Sequence, residues 1–94
     1  MQFFVLIRRR TESFSEEQFE PLLAPEAARV SELYGDGVIR SAYSRQDVPG
    51  AILLVEAADL DEVDDILATL PLAERGMLEF TIIHVRGYRG FAGG

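Results

Sequence analysis

The hydrophobic positions of this chain fall into blocks of two periodicities, and their order sets the expected fold. Gln2 to Arg9 is dense in Phe, Val, Leu and Ile with no breaker, and reads as a first strand. Ser15 opens a helix, with Gln18 three residues on as capping-box partner. Pro21 and Pro25 lie inside the helical pattern that follows. Each removes a backbone donor and crowds the preceding turn, so the pattern predicts a kinked or split helix, its better-formed half running from Pro25 to Tyr34. Gly35 and Gly37 end it. Val38 to Arg45 alternates as a second strand, Gln46 to Gly50 is a turn, and Ala51 to Ala57 is a third strand, giving a hairpin. Asp59, with Glu62 as its capping-box partner, starts a second helix that runs to Thr69 and carries the apolar stripe Val63, Ile66, Leu67 and Leu70. Leu70-Pro71-Leu72 stops it, and Met77 to Arg86 forms a fourth strand. This divides the chain into a domain over residues 1–86 and a glycine-rich tail over 87–94.

The order is βαββαβ, an α+β chain of ferredoxin-like type with a four-stranded antiparallel sheet. In strand one Phe3, Val5 and Ile7 are apolar on one parity and Phe4 and Leu6 on the other; strands three and four repeat the pattern. A strand apolar on both faces is covered on both, and two helices cover only one. A second copy of the sheet is the simplest cover for the other face, so a homodimer or larger assembly is expected.

At 94 residues there is room for one core. The absence of cysteine excludes disulfides, a thiol nucleophile and Cys-ligated metal, and one histidine argues against a His-built zinc site. The net charge of −7 argues against a nucleic-acid partner. The acid cluster Asp59, Asp61, Glu62, Asp64 and Asp65 reads as a solvated helix start. The opening MQFFVLIRRR runs from apolar to basic, the reverse of a secretory signal, and no apolar run approaches a membrane span, so a cytoplasmic location is expected.

Four stretches, Met1-Gln2-Phe3-Phe4-Val5, Gly37-Val-Ile-Arg40, Val55-Glu56, and Leu70-Pro71-Leu72 leading to Met77-Leu78-Glu79, resemble the muconolactone isomerase family. The resemblance implies a dimeric α/β barrel that assembles further into decamers. It also implies a role in aromatic compound catabolism, with proton transfer along an allylic system of a small lactone and no metal or cofactor. Glu79, Glu56 and Glu26 match family acids and Arg40 a family arginine, whereas Leu23 stands at the place of a family lysine and Phe4 at that of a histidine.

Such chemistry needs a carboxylate near its working pKa and a cation for the substrate carboxylate. Glu79, mid-strand between apolar residues, is the first candidate for the acid/base, against an edge glutamate paired with an arginine; Glu56 and Glu26 follow, each also readable as a surface acid. Arg40 suits an anion anchor or a structural ion pair. Tyr43 and His84 are substrate-binding candidates that could equally be packing residues. The arginines of Arg8-Arg9-Arg10 and of the tail are the basic concentrations, and the tail reads as lying across a neighbouring subunit. The function expected is a cofactor-free isomerase acting on a small lactone or unsaturated carboxylic acid. The alternative from a different class is a non-catalytic oligomeric binding or accessory protein of the same fold.

Overall fold

Alternation along β1 (Gln2–Arg9) sends Phe3, Val5 and Ile7 to one side of the sheet, where all three are buried, and Phe4 and Leu6 to the other. The computed structural model describes residues 1–90, and the last four residues of the expected tail lie outside them. After β1 come α1 (Glu16–Gly35), β2 (Ile39–Ser44), β3 (Gly50–Glu56), α2 (Leu60–Leu67), α3 (Pro71–Glu74) and β4 (Leu78–Val85). All neighbours in the sheet are antiparallel, in the order β2-β3-β1-β4.

The four-stranded antiparallel sheet is as expected, but the barrel is not. β2 pairs only with β3 and β4 only with β1, so both are free edges and the sheet is open. Closing a sheet on itself demands a hydrogen-bonded seam between its outermost strands, and four strands do not supply one here.

Helices cover one face. Phe3, Val5 and Ile7 of β1 join Leu53 and Val55 of β3, Ile39 of β2, Leu33 of α1 and Val63 and Leu67 of α2 in one buried cluster. Burial of side chains of this size is worth about 1.5–3 kcal/mol each. On the other face Phe4, Leu6, Ile52, Leu54, Ile83 and Val85 have no helix over them; Phe4 remains 37% and Ile83 45% exposed.

The helix starts follow the sequence closely. Ser15 accepts a bond from the Gln18 N–H at 3.3 Å while the Gln18 side chain accepts from the Ser15 N–H at 2.8 Å, completing the capping box. Asp59 caps α2 through a bond from the Glu62 N–H at 2.9 Å, without the reciprocal side-chain bond.

One further expectation fails. The break in α1 does not occur: the helix is continuous from Glu16 to Gly35 with both prolines inside it. Pro21 and Pro25 are one turn apart on the solvent side, and Glu17 and Pro21, whose carbonyls lose their amide donors, are exposed to water. Phe19 and Leu33, on the opposite face, are buried and hold the helix down. Leu70-Pro71-Leu72 also does more than end α2, since Pro71 occupies the first turn of α3, where its missing donor costs nothing.

Candidate functional site

Small residues leave an open-sided space between the sheet and α1, with Ala27, Ala42 and Ser44 exposed at its rim. Ala42 and Ser44 of β2, Gly50 and Ala51 of β3 and Ala27 of α1 fill too little volume to close the gap between sheet and helix, leaving a cavity of about 370 Å³. Its apolar lining is completed by Ile7, Leu23, Val30, Leu53, Leu72 and Leu78. Gly50 is required there for a separate reason, because a Cβ at that position would run into the Ile7 carbonyl.

Two charged side chains line this cavity, Arg9 and Glu26. Arg9 is the last residue of β1 and shares the parity of Phe3, Val5 and Ile7, which places it on the helix-covered face. Its guanidinium lies 5.8 Å from the Phe19 ring centre and, among the described residues, joins no ion pair. Glu26 occupies the core stripe of α1 in the series Phe19, Leu23, Glu26, Val30, Leu33, at spacings of a helix face. Its Oε1 accepts a bond from the Leu72 N–H at 2.9 Å. Leu70, the residue before α3, provides no side-chain cap, so Glu26 serves that helix start from across the core. Burial pushes the Glu26 carboxyl above its ordinary range, against the opposing pull of the Leu72 N–H and the positive charge of Arg9. A carboxyl held in this way beside a cation can exchange a proton with a ligand whose anionic end the cation holds.

The other candidates are dispersed. Glu79 lies on the helix-free face, in register with Arg8, and is exposed. Arg8 donates from Nε and Nη2 to the two Glu79 oxygens at 3.1 Å, and from Nη1 and Nη2 to those of Glu12 at 3.0 Å. Arg8 holds the Glu79 carboxyl below its ordinary range. Glu56 accepts from the amino group of Met1 at 3.4 Å. His84 stacks on Phe3, ring centres 4.9 Å apart, at the far end of β4 from the cavity. Tyr43 borders the cavity, and Arg40 lies outside it in an adjoining groove lined by Val30, Ser31, Tyr34, Ser41, Ala42 and Tyr43. The structure therefore joins Glu26 to Arg9, a residue that the sequence reading counted only as part of a basic run, whereas Tyr43, paired with Ile52, shares the register of the helix-free face and meets the cavity only at its rim. Parity was the available signal: Arg9 continues the alternation of Phe3, Val5 and Ile7.

Among the described residues, no group of three or more His, Asp or Glu side chains is placed to hold a metal ion, and no helix is long and apolar enough to cross a membrane.

The family model for muconolactone delta-isomerase matches residues 1–87, and the chain belongs to that family. Comparison with curated proteins gave no match. Among solved structures, 5-chloro-2-hydroxyhydroquinone dehydrochlorinase from Burkholderia phenoliruptrix, in complex with 2,5-dihydroxybenzoquinone, is similar to this chain at a TM-score of 0.77 and 18% sequence identity, over 96% of this chain and 98% of that one. At that identity the likeness is one of fold.

Proposed function

We propose that this protein is a cofactor-free isomerase that moves a proton within a small lactone or unsaturated carboxylic acid bound beneath α1. The observation that carries the reading is the placement of Glu26, a carboxyl raised above its ordinary range by burial, in a largely apolar cavity that also contains Arg9. Membership of the muconolactone delta-isomerase family supports the reaction type. In the reaction the Glu26 carboxylate takes a proton from the carbon beside the substrate carbonyl. The electron pair moves into the conjugated system as a dienolate, and the protonated Glu26 returns the proton two carbons further on. The double bond has moved, and no atom is gained or lost. Arg9 holds the substrate carboxylate, and the apolar side chains of the inner wall pack against the substrate's carbon skeleton. Glu26 replaces Glu79 as the proposed acid/base because Glu79 lies on the opposite face of the sheet, engaged by Arg8.

The test is incubation with a panel of unsaturated lactones and acids, muconolactone included, in deuterated water, followed by proton NMR. Double-bond migration with the wild type, lost in Glu26→Gln, is the expected result. Absence of both migration and deuterium uptake across the panel, or full turnover by Glu26→Gln, would overturn the reading.

A further inference from the structure

Arg40 sits at a break in the sheet's register, the bulge between Ile39, which pairs with Val55, and Ser41, which pairs with Leu54. Its Nε donates to the Gly37 carbonyl at 2.8 Å. Gly37 has φ +78°, a conformation that side-chain-bearing residues rarely adopt, and in this turn its carbonyl holds the guanidinium. The Gly37-to-Arg40 segment is thus a device for orienting a cation. With Nε tied back, the two terminal nitrogens of Arg40 have no protein acceptor among the described residues, and they form the fork that a carboxylate accepts in bidentate fashion. Arg8, Arg29 and Arg45 are by contrast engaged by Glu12 and Glu79, by Glu32 and by Asp47.

The groove around Arg40, about 480 Å³, shares Val30, Ser31, Ala42 and Tyr43 with the inner cavity. It opens along β2, an edge strand, with Tyr34 and Tyr43 each 61% exposed beside it. Arg9 meets the Pro49 carbonyl at one end of β3, whereas Arg40 lies near Val55 at the other, roughly 20 Å away along the strand at ~3.3 Å per residue. A small monocarboxylate cannot reach both at once.

We propose that the Arg40 groove is the entrance to the inner cavity, an outer station where the carboxylate of an incoming small organic acid is held before it passes between Ala42 and Val30 to Arg9. The proposal rests on the reading of the inner cavity as the reaction site. In a chain of net charge −7 an oriented cation at the mouth offsets the repulsion that an anion meets on approach.

Benzoate, with benzyl alcohol as its uncharged counterpart, serves as the probe in amide and arginine-side-chain NMR titrations. Benzoate should shift the Arg40 Nε–H and the amides of Ser41 to Tyr43 as well as those around Arg9, and benzyl alcohol only the latter. Arg40→Gln should abolish the outer shifts and weaken benzoate binding about tenfold at low salt, a difference that shrinks as salt screens the charge. Arg40→Lys, which keeps the charge and loses the fork, should restore part of the affinity, with an otherwise unchanged amide spectrum showing that the fold is intact. Equal outer shifts with both probes, none with benzoate, or unchanged benzoate affinity in Arg40→Gln would overturn the proposal. Absence of inner shifts with either probe would strike the reaction-site reading instead, and the Arg40→Gln comparison would still decide this one.

Discussion

The carboxylate of Glu26 on α1 accepts the backbone N–H of Leu72, 46 residues away in the chain, at 2.9 Å, and so ties the long helix to the start of α3 over the cavity. One side chain thereby has a structural and a proposed chemical task, and two substitutions separate them. Glu26→Gln keeps an acceptor for Leu72 and should retain near wild-type stability while losing proton transfer. Glu26→Ala leaves a part-buried N–H unsatisfied and should cost about 1–3 kcal/mol in urea unfolding. Equal stability of the two variants would show that the Leu72 bond contributes nothing.

Glu26 and Glu12 give opposite pH signatures. The folded state holds the Glu26 proton more tightly than the unfolded chain, where the carboxyl titrates near 4.5. The favourable contribution of this group is therefore complete below that pH and declines as pH rises through the folded pKa. Glu12 is held down to about 2 from 4.5 by its hydrogen bonds to Arg8, so its contribution is present above 4.5 and lost as pH falls toward 2. Melting curves against pH should show Glu26→Gln gaining on the wild type as pH rises from about 4.5. The loss of wild-type stability between about pH 4.5 and 2 should be smaller in Glu12→Gln. Parallel Glu26→Gln and wild-type curves would mean that Glu26 is solvated.

Glu79→Gln should leave isomerase turnover within about twofold of the wild type, because the side chain lies across the sheet from the cavity and its partner Arg8 retains Glu12. The assay is the NMR turnover measurement with any substrate that the wild type accepts. A loss of two orders of magnitude with the fold intact would return the acid/base role to Glu79.

The strands, both helix caps and the two-sided apolarity of β1 and β3 were legible because each rests on local chemistry: β-branched density, Ser15 with Gln18, Asp59 with Glu62, and alternation about Val5 and Leu53. The continuity of α1 was not, because the proline rule assumes that the freed carbonyls must be satisfied inside the protein, and here the residues carrying them face water. Openness of the sheet depends on which edges remain unpaired, a long-range property that no segment encodes. In the site, Glu79 drew attention because its sequence neighbours are apolar. In a strand, neighbours point to the opposite face, so Leu78 and Phe80 face the core while Glu79 faces away from it. Glu26, flanked by Pro25 and Ala27, looked like a surface residue, although its register with Phe19 and Leu33 already put it in the core stripe.

The helix-free face leads to the last prediction. Phe4, Leu6, Ile52, Leu54, Ile83 and Val85 form an apolar field on that side of the sheet, with the Arg8–Glu12–Glu79 ion pairs at one end and Glu56 with the Met1 amino group at the other. Contiguous apolar surface of this kind is rarely left bare on a soluble monomer. We propose that a second copy covers it, sheet against sheet at about 10 Å, each field burying the other while the charged ends stay at the rim. Light scattering after size exclusion should give a mass of two chains or a multiple of two. Two substitutions of the same type then distinguish the faces. Ile52 lies on the helix-free face, so Ile52→Asp should shift the mass to one chain and leave the circular dichroism spectrum intact. Ile82 packs against the core beneath the helices, so Ile82→Asp should instead destabilise the fold by about 3 kcal/mol or more. A monodisperse single chain at micromolar concentration for the wild type, or Ile52→Asp without effect on mass, would show that this face is not where the copies meet.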